Sequence, residues 1–136
     1  MKNMEKEQRR FKRFYFSLDD RIEGVFSLSL KNSEANLVTA RIMDISEGGL
    51  NFALKKHDTK GIRSGDRLIL KRIKGSKKLE FCKNMELEIK WTLGKSDRFF
   101  SHVGVGCGFQ NISETLRQQI AQFVDSEIES QGQRNP

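Results

Sequence analysis

Two stretches of this chain combine residue types that could recognise a small charged ligand. Asp44-Ile45-Ser46-Glu47-Gly48-Gly49 places a carboxylate, a hydroxyl and bare glycine backbone at fixed offsets between two apolar runs. Asp and Ser hydrogen-bond nearby backbone, and the paired glycines Gly48 and Gly49 permit a positive φ or a close backbone approach. The stretch reads equally as a strand reversal or as a small polar site on a rigid support. Arg9-Arg10-Phe11-Lys12-Arg13-Phe14-Tyr15-Phe16 interleaves cations with aromatics. A segment so rich in aromatics wants something to pack on, so it reads as a tether laid against the domain.

The totals bound what such a site can serve. A chain of 136 residues is one domain with room for a core. Its 25 Lys and Arg against 18 Asp and Glu leave a net charge of +7, which favours an anionic partner. The segment from Lys55 to Lys78 carries ten of those cations against Asp58 and Asp66, more than the whole excess. A second basic cluster comprises Lys6, Arg9, Arg10, Lys12 and Arg13. The start is charged and lacks an apolar signal region, and no apolar run approaches the ~20 residues of a membrane span. The expectation is a cytoplasmic protein without membrane insertion, with Cys82 and Cys107 reduced and Cys107 packed in a strand.

The elements that must position these residues follow from hydrophobic period. Hydrophobic patterning predicts strands over Ile22 to Leu30, Leu37 to Ile45, Leu50 to Leu54, around Leu68 and Leu70, over Met85 to Leu93, and over Phe99 to Phe109, the second less cleanly alternating, as a strand covered on both faces would be. In the fifth of these, Met85, Leu87, Ile89, Trp91 and Leu93 alternate with Glu86, Glu88, Lys90 and Thr92. Turns are expected at Asn32 to Asn36, Lys74 to Lys78 and Gly94 to Arg98. Gly104, Gly106 and Gly108 share one face of the last strand, which lets it bend or lets another group lie close. From Ser113, a candidate N-cap, the period becomes helical, with Leu116, Ile120, Phe123, Val124 and Ile128 in one stripe. The helix is expected to fray beyond Glu129.

Catalytic chemistry finds no foothold. His57 and His102 are the only histidines, and neither has metal-ligand spacing to a Cys, His or acidic residue. There is no phosphate-loop pattern and no nucleophile elbow. The reading is a binding protein, not an enzyme, with no metal site and no cofactor.

Arg9-x-x-x-Arg13 and Asp44-x-Ser46-x-x-Gly49 together resemble the two marks of the PilZ domain family, bacterial receptors for cyclic di-GMP. Both motifs stand intact and in order, and the resemblance runs from about Glu7 through the final helix. It implies an all-β fold, a six-stranded antiparallel PilZ-like barrel with a C-terminal α-helix. Residues 1–8 would be a flexible arm, 9–129 the domain, and 130–136 a disordered tail. The ligand-binding residues implied are Arg9, Arg10, Arg13, Asp44, Ser46, Gly48 and Gly49.

Cyclic di-GMP suits these residue types. An Arg fork bonds guanine O6 and N7, stacks on a base or clamps phosphate. A carboxylate, here Asp44, accepts from guanine N1–H and N2–H. Ser46 donates to phosphate or base, Gly49 keeps bulk out of the site, and Arg10 adds a stacking or electrostatic contact. The arm would be mobile through Arg13 until ligand brings Phe11 and Phe14 onto the barrel rim, creating a surface for a downstream protein partner. The family's collective roles are motility, pili, exopolysaccharide and biofilm formation, as a monomer or a ligand-dependent dimer. Two alternatives stand beside this. A nucleic-acid-binding barrel would use Lys55 to Lys78, but no Phe, Tyr or Trp lies between Phe52 and Phe81 to stack bases. A ligand-independent adaptor would not need intact motifs.

Overall fold

The computed structural model describes residues 11–28, 37–59, 61–94 and 101–134. Arg9, Arg10, the expected N-terminal arm and the turn expected at Asn32 to Asn36 lie outside the described residues. In chain order the elements are β1 Arg13–Tyr15, β2 Glu23–Ser27, β3 Leu37–Ser46, β4 Gly49–Lys55, β5 Arg67–Lys74, β6 Met85–Leu93, β7 His102–Gln110 and helix α1 Glu114–Arg134.

Alternating side chains give each strand one apolar face, and closing the sheet removes the unpaired edges that face would otherwise leave. Strands β3, β2, β5, β6, β7 and β4 pair antiparallel in that order, and β4 returns to β3. The result is the expected six-stranded antiparallel barrel. Its interior is filled by the inward residues of every strand, with Phe26 and Phe52 stacked 4.2 Å apart. Cys82 and Cys107 belong to that core as free thiols, and burial pushes both up to about 12. As protonated thiols they act as packing.

The segment read as a tether is a short strand. β1 takes the edge of β3 opposite β4, in line with β2, with Arg13 against Ser46, Phe14 against Ile45 and Tyr15 against Asp44. Phe14 is only 5 % exposed. It meets Phe16 and the helix residue Phe123 edge-on, with ring centroids 5.2 and 6.1 Å away. Phe14 is therefore a core residue, held by strand pairing and aromatic packing. Phe14, expected on the barrel rim, lies in the core.

Helix α1 starts where Ser113 Oγ accepts a hydrogen bond from the Leu116 N–H at 3.1 Å. Ile120, Phe123 and Val124 are buried against β1 and β3, whereas Ile128 is exposed. The helix runs to Arg134, past the expected fraying point at Glu129. No proline interrupts it before Pro136, and its last turns need no apolar stripe to keep their backbone bonds.

Two strand readings change. β2 spans Glu23–Ser27, and Ser27, expected to face out, is buried. In β6 the pairing with β7 shifts between Ile89 and Trp91. Trp91 and Leu93, expected inward with Ile89, are 43 % and 70 % exposed. An extra residue in one strand inverts every side chain beyond it.

The two glycines of the β3–β4 turn differ in what excludes a side chain. A Cβ on Gly49 would land on the carbonyl oxygen of Cys107 in β7, whereas one on Gly48 would meet the Phe11 ring at 2.7 Å. Backbone cannot yield; an aromatic side chain can turn aside. Gly49→Ala should therefore cost about 1–3 kcal/mol or more in urea unfolding, the usual range for overpacking, and Gly48→Ala clearly less. Equal losses for the two would refute this distinction.

Candidate functional site

The β3–β4 reversal is a hairpin whose two loop residues are Glu47 and Gly48, with Ser46 paired to Gly49. Ser46 closes it from within. Its Oγ accepts from the Gly48 N–H at 3.2 Å and donates to the Gly49 carbonyl at 3.4 Å. At 3 % exposure the hydroxyl is committed to the turn, which explains why a short hydroxylated side chain is needed there.

Asp44, two residues back on the same strand face, is 5 % exposed. Its carboxylate accepts from Asn51 Nδ2 at 3.0 Å to each oxygen and from Arg13 Nη1 at 3.3 Å. Burial pushes the Asp44 carboxyl above its ordinary value, and the bonds from Asn51 and Arg13 pull the other way without overcoming it. Three of roughly four acceptor directions are filled, so one remains. Arg13 is anchored at one end by strand pairing, while its side chain is partly exposed.

Above this pair an open groove of ≈ 280 Å³ is lined by Arg13, Ser46, Gly48, Asn51, Lys90 and Trp91, with the backbone of β7 as floor. The glycine face of β7 explains the floor. A Cβ at Gly106 would run into the Trp91 indole, and one at Gly104 would lie 3.7 Å from both Trp91 and Leu93. The group lying close on Gly104 and Gly106 is thus Trp91. The groove offers a flat π surface beside a guanidinium, an ammonium and bare backbone. Such a surface can take a planar base carrying an attached anion.

The far side of the turn is tied to the helix. Glu47 Oε2 pairs with Arg117 Nη2 at 2.7 Å, and the Arg117 guanidinium lies 5.8 Å from the centre of the Phe11 ring. Lys12 pairs with Asp125 at 3.3 Å.

Of the residues read from sequence, the fold brings Arg13, Asp44, Ser46, Gly48 and Gly49 to one end of the barrel. Arg9 and Arg10 lie outside the described residues. Three contributors escaped the reading. Asn51 could have been found by counting out from the turn, since Ser46 opposite Gly49 puts Asp44 opposite Asn51. Trp91 and Lys90 could not, because regular alternation places them on opposite faces. Among the described residues, the basic segment from Lys55 to Lys78 contributes nothing to the groove lining. Among the described residues no group of His, Cys, Asp and Glu could hold a metal ion, and no helix is long and apolar enough to cross a membrane.

Comparison with known proteins bears on this geometry. No curated protein matches the chain. A K. pneumonia MrkH–c-di-GMP complex is similar at a TM-score of 0.72 and 19 % identity, over 93 % of this chain and 55 % of that one. The PilZ domain of YcgR from Escherichia coli, solved with c-di-GMP, is similar at 0.65 and 18 % identity, over 94 % and 98 %. The Bacillus subtilis inhibitor of motility MotI/DgrA gives 0.61 and 14 %, over 90 % and 52 %. At these identities the likeness is one of fold, and the chain spans about half the length of MrkH and MotI. The PilZ domain model matches residues 7–126, and with a match over most of its length the chain belongs to the PilZ domain family.

Proposed function

We propose that this domain is a cyclic di-GMP receptor whose ligand lies in the groove above the β3–β4 turn. The observation that carries the reading is the register of β1 on β3. It sets Arg13 against Ser46 and its guanidinium 3.3 Å from Asp44, so residues of both motifs meet at one groove. Family membership and the similar MrkH and YcgR structures, solved with c-di-GMP, support the choice of ligand.

In this reading Arg13 swings from Asp44 onto a guanine edge or phosphate, with Arg9 and Arg10 joining from upstream. The freed Asp44 oxygen then accepts guanine N1–H and N2–H, while Asn51 keeps its other contacts. Ser46 and Gly49 act by holding the turn and the strand approach. Trp91 stacks on a guanine. Output passes to a protein partner through a surface formed by ligand, arm and barrel, an order–disorder device. Because Phe14 is already seated, the ordering we assign to ligand lies upstream of β1. Motility control is the process this reading favours, given that one similar structure is an inhibitor of motility.

Calorimetry tests the ligand. Cyclic di-GMP should bind in the micromolar range or tighter, about −8 kcal/mol, and GTP much more weakly. Arg13→Ala or Asp44→Ala should weaken binding about ten- to hundredfold, with Arg13→Ala leaving the fold intact. Affinity should also depend on pH through Asp44. The ionised carboxylate is the acceptor, and its pKa in the free protein is raised, so affinity falls as pH drops through that pKa and is flat above it. Saturating ligand with no heat would end the proposal.

Trp91 is the single tryptophan, so intrinsic fluorescence reports the stacking directly. Ligand should quench and shift its emission, and Trp91→Ala should cost about 1–3 kcal/mol of binding. Unchanged emission at saturation would remove Trp91 from the site.

The arm is tested by amide hydrogen exchange. Ligand should raise protection of residues 7–12 and leave Met85–Leu93 as it was. Protection of residues 7–12 already complete without ligand would leave a preformed site and no switch.

A further inference from the structure

Regular β6 would send Lys90 and Trp91 to opposite faces of the sheet. The register does otherwise. Glu88 pairs with Gly108, Ile89 with Cys107 and Trp91 with Gly106, so Lys90 has no partner of its own on β7. This bulge turns two consecutive side chains, a cation and an indole, onto the outer glycine face of β7. The Lys90 stem lies over Gly108, its Cε 3.0 Å from where a Cβ would stand, while Trp91 covers Gly106. Both line the groove with Arg13 and Ser46.

The Lys90 ammonium is held lightly. Its Nζ lies 3.2 Å from Glu88 Oε2, at a half-exposed position. Glu88 has a second cation, Arg67, whose Nε is 3.6 Å from its other oxygen. Lys90 can therefore leave Glu88 without stranding an unpaired carboxylate.

We infer that Lys90 is a phosphate-binding residue of this groove, delivered there by the β6 bulge and belonging to neither motif. The inference rests on the cyclic di-GMP reading above and deepens it. A nucleotide carries its base and its phosphate on one sugar, so a site needs a π surface and a cation side by side on one face. The bulge supplies that pair from adjacent residues. Glu88 and Arg67 form a parking position that keeps the ammonium beside the groove when no phosphate is there.

Calorimetry with cyclic di-GMP on the full chain tests this. Lys90→Gln should weaken binding about tenfold, the scale of one charge-assisted hydrogen bond, and Lys90→Arg should restore most of it. Lys74→Gln, which removes the same charge from an exposed position outside the groove, should change affinity less than about twofold because distant exposed charges are screened. Glu88→Gln separates binding from packing. It frees Lys90, so affinity should hold or rise, and in a Lys90→Gln background it should have no effect. Lys90→Gln behaving like Lys74→Gln would overturn the inference and leave the receptor reading standing. So would Glu88→Gln weakening binding as much as Lys90→Gln, since the ion pair would then matter only as structure. A parent protein that binds no cyclic di-GMP would overturn both.

Discussion

The site depends on the pinning of Phe14 between β3 and helix α1. A strand alternates its side chains, so one buried Phe obliges Arg13 and Tyr15 to point away from the core. Burying the ring contributes about 1.5–3 kcal/mol. Fixing the three residues of β1 costs roughly 3–6 kcal/mol of backbone entropy. Burial of Phe14 alone does not hold the strand. Its pairing with β3 and the edge-on contacts with Phe16 and Phe123 supply the rest. The helix is thus tied to this end of the barrel through β1, and Glu47–Arg117 and Lys12–Asp125 join it to the β3–β4 turn and to the residue before β1.

Asp44 illustrates what such an end requires electrostatically. A buried carboxylate is costly unless its lone pairs are met, and Asn51 and Arg13 meet most of them. Burial still dominates, leaving the group above its ordinary pKa. Such a carboxylate gains more from an additional donor than one already fully solvated. The Arg13 side chain is half-exposed, whereas Asn51 bonds both carboxylate oxygens from across the hairpin.

The glycines of β7 and the bulge of β6 are two halves of one device. Bare backbone at Gly104, Gly106 and Gly108 leaves a shelf, and the extra residue in β6 rotates Trp91 and Lys90 onto it. Either half alone fails. Side chains on β7 would push the indole off, and an unbulged β6 would bury Trp91 in the barrel interior.

Much of this was legible in the chain. Apolar runs bounded by turn residues located β3, β4, β6 and β7, Ser113 announced the helix, and the Asp-x-Ser-x-x-Gly stretch marked its hairpin. These features arise from local preferences that need only near neighbours. Asn51 was one step of counting away. What only the tertiary structure decided is where distant backbones meet. Gly49 is glycine because the Cys107 carbonyl passes beside it, and Glu47 finds its cation seventy residues away on the helix. Trp91 faces out because one unpaired residue in β6 reversed an alternation that the amino-acid pattern continued without a break. Register is set by pairing with a neighbouring strand, and a single sequence carries no record of its neighbour's count.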